Sequence, residues 1–382
     1  MIRSYRYRLY PNREQTKRLD EMFEIFCELY NAALQERRDA YKRNGISISY
    51  YDQTSQLPAI RKERDDLAGF SSTAAQQVLR RLDKAFKAFF RRVKAGETPG
   101  YPRFKSRSRF KSVPFMFGDG AGLRDDRLHI YGVGQIKVKW HRPIPDDATI
   151  KQIVVKRAGD KWYAIFQIEL PDPEPVEHPG PAVGIDLGVS SIVATSDGDT
   201  IDAPRYMRKA EKKLRKQQRR MARRKKGARG WHNARRQIAK TYEHTANQRR
   251  DFSHKLSHQL VDTYSFIAVE DLNVAGMSRN HNLAKSILDA GWSQLLHMLD
   301  YKAEEAGSQI VAVDPHNTSQ ACSGCGCVVK KDLGVRVHHC PHCGLVLDRD
   351  VNAAINILNR ALNSARMEPS GANVAERIAS VA

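Results

Sequence analysis

Gly184-Ile185-Asp186-Leu187-Gly188-Val189 is the stretch on which the reading of this chain turns. Pro181, Ala182 and Val183 lead into it, and Ser190, Ser191, Ile192, Val193 and Ala194 follow, so it reads as a buried strand carrying a single acid. A carboxylate among apolar side chains is costly without a compensating partner. A divalent cation is the usual one, because Asp is a hard oxygen ligand; hydrogen bonds from turn amides are the alternative. Two other stretches carry the same chemistry. Phe266-Ile267-Ala268-Val269-Glu270 is a second apolar run ending in an acid, and Leu347-Asp348-Arg349-Asp350-Val351-Asn352-Ala353-Ala354 puts an acid at a helix start. Acids on three separate elements converge only through tertiary folding, and together they can hold two divalent ions.

Such a pair of ions, about 4 Å apart, accelerates in-line displacement at phosphorus. Asp186 is the expected bridging ligand, with Glu270 and Asp350 on either side. Asp271 and Asp348 compete for these places. Glu270 and Asp271 point to opposite faces of a continuing strand, so only one faces the metals. Asp350 directly precedes an apolar helical run and is preferred to Asp348. The expected cofactors are two Mg2+ at Asp186, Glu270 and Asp350, and one structural Zn2+ elsewhere.

The chain has 382 residues, enough for two or three domains and a sizeable core. Lys and Arg number 64 against 43 Asp and Glu, a net charge of +21 that calls for a polyanionic partner, nucleic acid first. No apolar run approaches the length of a spanning helix, and Met1-Ile2-Arg3-Ser4-Tyr5-Arg6 lacks the apolar stretch of a signal peptide. A cytoplasmic protein with no membrane partner is expected. Five of six cysteines fall between Cys322 and Cys343, which argues for metal rather than disulfides. Cys27 falls on a helical apolar stripe and reads as core.

Residues 2–10 alternate as a strand with one basic face, and residues 13–43 have helical spacing. A second helix is expected over 52–66 and a third over 71–94. On the third, Gln76, Gln77 and Arg80 suit either a solvated face or a groove-reading one, since Gln and Arg bond bidentately to base edges. In residues 98–112, prolines forbid a helix, and Arg103 and Lys105 alternate with aromatics, which fits a strand of phosphate contacts. Short alternating runs over 113–170 predict a small antiparallel barrel or sheet. The Pro-rich run 171–181 is a stiff linker. Residues 204–226 form a very basic helix with Arg219, Arg220, Arg223 and Arg224, and a returning helix follows. So dense a charge run needs an anion or solvent, and a nucleic-acid grip is expected. Strands at 264–270 and 309–313 with a helix over 288–306 complete a mixed α/β core.

Cys322-x-x-Cys325 and Cys340-x-x-Cys343, 14 residues apart, have zinc-ribbon spacing. Four thiolates make a closed, structural site. Cys327, His338, His339 and His342 are nearby substitutes, better read as surface or packing residues.

Gly184-Ile185-Asp186-Leu187-Gly188, Val269-Glu270-Asp271-Leu272, Thr318-Ser319-Gln320-x-Cys322-x-x-Cys325-Gly326 and Asp348-Arg349-Asp350-x-Asn352-Ala353-Ala354 together resemble the TnpB family. These are insertion-sequence proteins related to type V CRISPR effector nucleases. Gly100-x-Pro102-Arg103-Phe104-Lys105 also matches, so the likeness spans about residues 1–360. It implies an α/β multidomain chain with an RNase H-like, RuvC-type nuclease core. By that resemblance residues 1–10 and 113–174 form a wedge β-barrel and 11–112 a helical recognition domain. Residues 175–314 and 346–362 form the nuclease, and 315–345 the inserted zinc ribbon. Residues 363–382 are expected as a disordered tail, dispensable as protein when truncated after Ser364. The implied activity is RNA-guided cutting of double-stranded DNA beside a short motif read by protein, with a guide RNA and target DNA as partners. Two other readings stand beside it: a transposase using the same acids for strand transfer, and a non-catalytic zinc-ribbon regulator that binds nucleic acid.

Overall fold

The computed structural model describes residues 1–172, 178–281, 283–332 and 334–367, with residues 365–367 described as backbone only. Two units divide the chain, residues 1–172 and 173–382, and the boundary falls inside the Pro-rich run.

In the first unit β1 (Ile2–Tyr10) buries Tyr5, Tyr7 and Leu9 and turns Arg6 outward, as its alternation requires. Helix α1 (Arg13–Asn44) begins at a reciprocal Asn12–Gln15 capping box and ends at Gly45, whose φ of 66° suits glycine. Where one helix was expected over 52–66 there are three short ones, α2 (Tyr50–Ser55), α3 (Leu57–Glu63) and α4 (Asp65–Ala68). Pro58 in the first turn of α3 and non-helical backbone at Arg64 (φ −115°, ψ 88°) interrupt the run. Helix α5 (Ser72–Lys94) starts at the Ser71 cap.

Residues 98–111 form no strand, contrary to expectation. Asn31 on α1 accepts the Lys105 backbone N–H at 2.9 Å and donates to its carbonyl at 2.8 Å, so the Lys105 backbone is paired by a side chain where a strand would use a neighbouring strand. Six strands follow: β2 (Ser112–Phe117), β3 (Gly120–Arg124), β4 (Arg127–Ile130), β5 (Gly134–Lys139), β6 (Thr149–Ala158) and β7 (Lys161–Glu169). With β1 they close a seven-stranded barrel in the order β1-β5-β4-β3-β2-β6-β7. Its pairings are antiparallel except for the short β2–β3 contact, which is parallel. One hydrophobic core joins helices and barrel: Phe26 and Leu34 of α1, Val78 and Leu82 of α5, and Phe115 and Phe166 of the strands.

The second unit is built on a five-stranded sheet. Strands β8 (Ala182–Asp186), β9 (Ser191–Thr195) and β10 (Thr200–Asp202) run antiparallel. Helices α6 (Tyr206–Ala222) and α7 (Arg229–Thr263) form a hairpin that leads to β11 (Phe266–Glu270), parallel to β8. After α8 (Val274–Met277) the helix expected over 288–306 is two, α9 (Ala284–Ala290) and α10 (Trp292–Ala306). Gly291 separates them at φ 72°, a left-handed conformation that ends one helix and precedes the next. Strand β12 (Gln309–Val313) pairs parallel with β11, giving the order β10-β9-β8-β11-β12. A ribbon containing the hairpin β13 (Val337–His339) and β14 (Val346–Asp348) then leads to α11 (Arg349–Met367). Residues 363–367, expected as tail, continue this helix; residues 368–382 lie outside the described residues.

The period of two sorts the sheet faces. Val183, Ile185, Ile267 and Val269 pack with Leu256 and Leu260 of α7 and Leu295 and Leu299 of α10. Phe266 and Ala268 pack with Ile357 and Ala361 of α11 on the other face. Gly184 is why α11 lies so close: a Cβ there would fall 2.0 Å from the Ala354 carbonyl oxygen. Among the described residues no helix is long and apolar enough to cross a membrane.

Candidate active site and zinc centre

Asp186 ends β8 two residues after Gly184, so its side chain leaves the face that α11 covers. Glu270 ends the parallel neighbour β11 on the face of Phe266 and Ala268. Asp350 occupies the first turn of α11. The C-terminal ends of two parallel strands and one helix N-terminus thus bring the three acids together. Glu270 and Asp350 are buried, whereas Asp271 and Asp348 are exposed. Asp348 caps α11 instead, since its Oδ1 accepts the backbone N–H of Asp350 at 2.8 Å and of Val351 at 3.2 Å.

The acids are coupled electrostatically. Burial, then the Glu270 and Asp350 carboxylates, push Asp186 up to about 8, against the nearby Arg349 and the Leu187 backbone N–H. Burial also raises Glu270, opposed by the Thr318 hydroxyl and by Arg360. Thr318 Oγ1 donates to Glu270 Oε1 at 2.5 Å. Arginines attend Asp350: Arg349 Nη2 lies 3.0 Å from Oδ1, and Arg336 Nη1 lies 3.5 Å from Oδ2. Arg336 also donates to Ser190 Oγ at 3.1 Å. Neither Thr318 nor Arg336 is among the site residues expected from sequence. Thr318 lies inside the Thr318-Ser319-Gln320 motif, but Arg336 has no spacing signal and reaches the site only through the fold of the ribbon.

Sulfur atoms of Cys322, Cys325, Cys340 and Cys343 lie within 4.8 Å of one another, and among the described residues this is the metal-compatible group of that tightness. The Cys322–Cys343 and Cys325–Cys340 sulfurs are 3.5 and 3.6 Å apart. That is far too long for a disulfide and close to the edge of about 3.8 Å that a tetrahedron with zinc–sulfur bonds of about 2.3 Å requires. The four thiols therefore fit a zinc ion. Cys327, His338, His339 and His342 stay out of the cluster; His338 is buried with its Nδ1 against Lys331 Nζ.

The expected nucleic-acid contacts fall in different surroundings. On α5, Gln76 and Arg80 are exposed, with the Arg80 guanidinium 5.2 Å from the Tyr50 ring centre, but Gln77 turns into the core. Arg103 is exposed, whereas Lys105 is partly buried with its ammonium 4.3 Å from the Tyr30 ring centre. Burial pulls Lys105 down to about 8. Arg219, Arg220, Arg223 and Arg224 are all exposed along a groove of about 1090 Å³ that also includes Arg215 and Lys216.

A family model described as a probable transposase, OrfB of IS605, matches residues 165–281, and its helix–turn–helix companion matches residues 1–45, which fold here as β1 and α1. A model of the Cas12f1-like TNB domain matches residues 292–357. The chain is similar to a "Putative RNA-guided DNA endonuclease" of Streptomyces pristinaespiralis, 34% identical over 366 residues, covering 94% of this chain and 89% of the relative. InsQ of Escherichia coli K12, named in the same words, is 28% identical over 94% of this chain and 92% of its own length. In structure the chain resembles the Cas12f1 of a cryo-EM complex with sgRNA and target DNA, at a TM-score of 0.60 and 14% identity, over 94% of this chain and 99% of that one. That last likeness is one of fold.

Proposed function

The chain belongs to the TnpB family, and from that premise we propose that it is an RNA-guided DNA endonuclease of a bacterial insertion sequence. The observation that carries the catalytic part is the convergence of Asp186, Glu270 and Asp350 at one end of the sheet. We read the second unit as an RNase H-like, RuvC-type core with an inserted zinc ribbon, and the first as the wedge barrel with its helical recognition segment.

The donor set suits a hard divalent cation. Burial first, and then the Glu270 and Asp350 carboxylates, hold a proton on Asp186 up to about 8, so the ionised site calls for added positive charge. Arg349 and Arg336 supply part of that charge at Asp350. Asp186, Glu270 and Asp350 would hold two Mg2+, which supply charge to activate a water and to stabilise the leaving oxygen of the phosphodiester. The protein's own groups do the rest. Asp348 fixes the first turn of α11 and hence Asp350. We read Arg336, half-exposed and paired with Asp350, as a cation available to an entering phosphate. The exposed arginines of the α6–α7 hairpin bind backbone phosphates without reading sequence. Gln76, Arg80 and Arg103 are the outward-facing candidates for contact with the DNA beside the target. Base pairing with the guide supplies sequence specificity, and the protein grips the heteroduplex by its shape and backbone.

The test is purification with native RNA, sequencing of that RNA, and Mg2+-dependent cleavage of a duplex matching its guide portion. Cleaved ends without joined products support the nuclease. Joined products support the transposase that the family model's description favours. Binding with no cleavage by the intact chain would leave the regulator.

A further inference from the structure

The zinc ribbon joins the sheet through a short hydrogen-bonded path that ends on one of the candidate metal acids. Asn352 is fully buried on α11, two residues beyond Asp350. Its Oδ1 accepts the backbone N–H of Ser323, inside the first cysteine knuckle, at 3.0 Å, and its Nδ2 donates to the Ala321 carbonyl at 2.8 Å. One turn later Asn356 Nδ2 lies 2.8 Å from both the Ala321 and the Thr318 carbonyls. The knuckle is braced from within, where Cys322 N–H donates to the Cys327 carbonyl and Gly326 N–H to the Cys322 carbonyl, both at 2.9 Å. Thr318, 3% exposed, closes the path with its hydroxyl on Glu270.

Each link has one geometry. Asn352 and Asn356 share the Ala321 carbonyl, while Asn352 alone takes the Ser323 N–H and Asn356 alone reaches the Thr318 carbonyl, and the low exposure of these groups makes loss of either asparagine's bonds costly. A hydroxyl has one proton; with Glu270 ionised, the 2.5 Å contact takes it in preference to the Pro315 carbonyl at 3.1 Å. One carboxylate oxygen of Glu270 is thereby fixed, and the other is left to face the site. We propose that Thr318 is a positioning residue for Glu270, held by Asn352 and Asn356, so that the first zinc knuckle sets the geometry of the nuclease acids. The proposal rests on Glu270 being a metal ligand, as read above. It gives the ribbon a role within the nuclease beyond holding its own zinc. It also accounts for the asparagine pair, whose side chains point at the ribbon rather than at the acids.

The experiment measures divalent binding directly, on the full chain freed of nucleic acid, by Mn2+ titration with electron paramagnetic resonance of the free ion. Thr318→Val keeps the shape and removes the hydroxyl; it should weaken Mn2+ binding about tenfold, as loss of a partner that orients a ligand commonly does. Thr318→Ser should restore affinity to within about threefold of wild type. Zinc content should stay at one per chain in both. In a Glu270→Gln background, Thr318→Val should have no further effect. Thr318→Ala gives the same comparison if the valine methyl lowers zinc content or folding yield. Wild-type Mn2+ affinity in both Thr318→Val and Thr318→Ala, with Glu270→Gln clearly impaired, would overturn the positioning role while leaving the nuclease reading intact. Full Mn2+ binding and cleavage by Glu270→Gln would instead sink the assignment on which it rests.

Discussion

Replacing Asp186 with Asn isolates the electrostatic cost of the candidate site. The carboxyl moves from an ordinary value of 3.8 to about 8, burial being the first cause and Glu270 and Asp350 the next. Its folded-state pKa therefore lies above its unfolded one, and the folded chain holds the proton more tightly. Below about pH 4 both states are protonated and nothing is lost; as pH rises toward 8 the unfolded state alone is ionised, and stability declines steadily. About 1.4 kcal/mol per pKa unit makes about 6 kcal/mol the ceiling. Asp186 is partly open to solvent, and screening reduces this to about 2 kcal/mol. In a unit of this size that is a melting shift of about 4–8 °C.

The assay is thermal melting of the full chain in EDTA at pH 5 and pH 8.5. Asp186→Asn should melt close to wild type at pH 5 and above it at pH 8.5. With millimolar Mg2+ the order at pH 8.5 should reverse, because only the wild type gains stability from bound cation. An equal gap at both pH values, or a variant less stable at both, would refute the claim that burial and the neighbouring carboxylates disfavour ionised Asp186 in the metal-free fold.

Asp350→Ala should abolish guided cleavage and leave DNA binding by gel shift largely intact. Asp348→Ala should still cleave, and lose about 1 kcal/mol in urea melts through the lost α11 cap. Elemental analysis should find one zinc per chain; Cys340→Ser should lose it and impair cleavage, whereas Cys327→Ser should keep both. Neutralising Arg219, Arg220, Arg223 and Arg224 should flatten the log-affinity against log-salt slope by about 2 to 4, at about 0.9 per phosphate contact; an unchanged slope would make this face merely solvated. Gly184→Ala should cost upwards of about 2 kcal/mol in chemical denaturation, since the new methyl meets the α11 backbone and a backbone cannot swing aside as a side chain can.

What was legible in the sequence is what local chemistry fixes. The two-residue period of Val183 and Ile185 and the run from Phe266 to Val269 specify strands with two buried faces, and the cysteine spacing specifies a ribbon. The preference for Asp350 over Asp348 rests on its place directly before an apolar helical run; in the fold Asp348 is the residue that caps α11, and Asp350 lies buried in its first turn. Tertiary choices left no such trace. Gln77 and Gln76 are neighbours of one type on one helix, yet packing turns one inward and leaves the other in water. Gly291 could have sat inside a helix; its left-handed φ breaks α9 from α10. Residues 98–111 looked like a strand because their side chains alternate, but alternation says nothing of what the backbone bonds to, and Asn31 is 74 residues away. Arg336 is the sharpest case. Fourteen residues before Asp350, in a loop between the cysteine pairs, nothing in its neighbours distinguishes it from other basic residues. Only the folded ribbon brings its guanidinium to Asp350 and Ser190 at once. A site assembled from strand ends, a helix start and an inserted ribbon shows its acids in the sequence, because apolar surroundings mark a buried charge. Its cations stay hidden, because in a chain of net charge +21 one more arginine is unremarked.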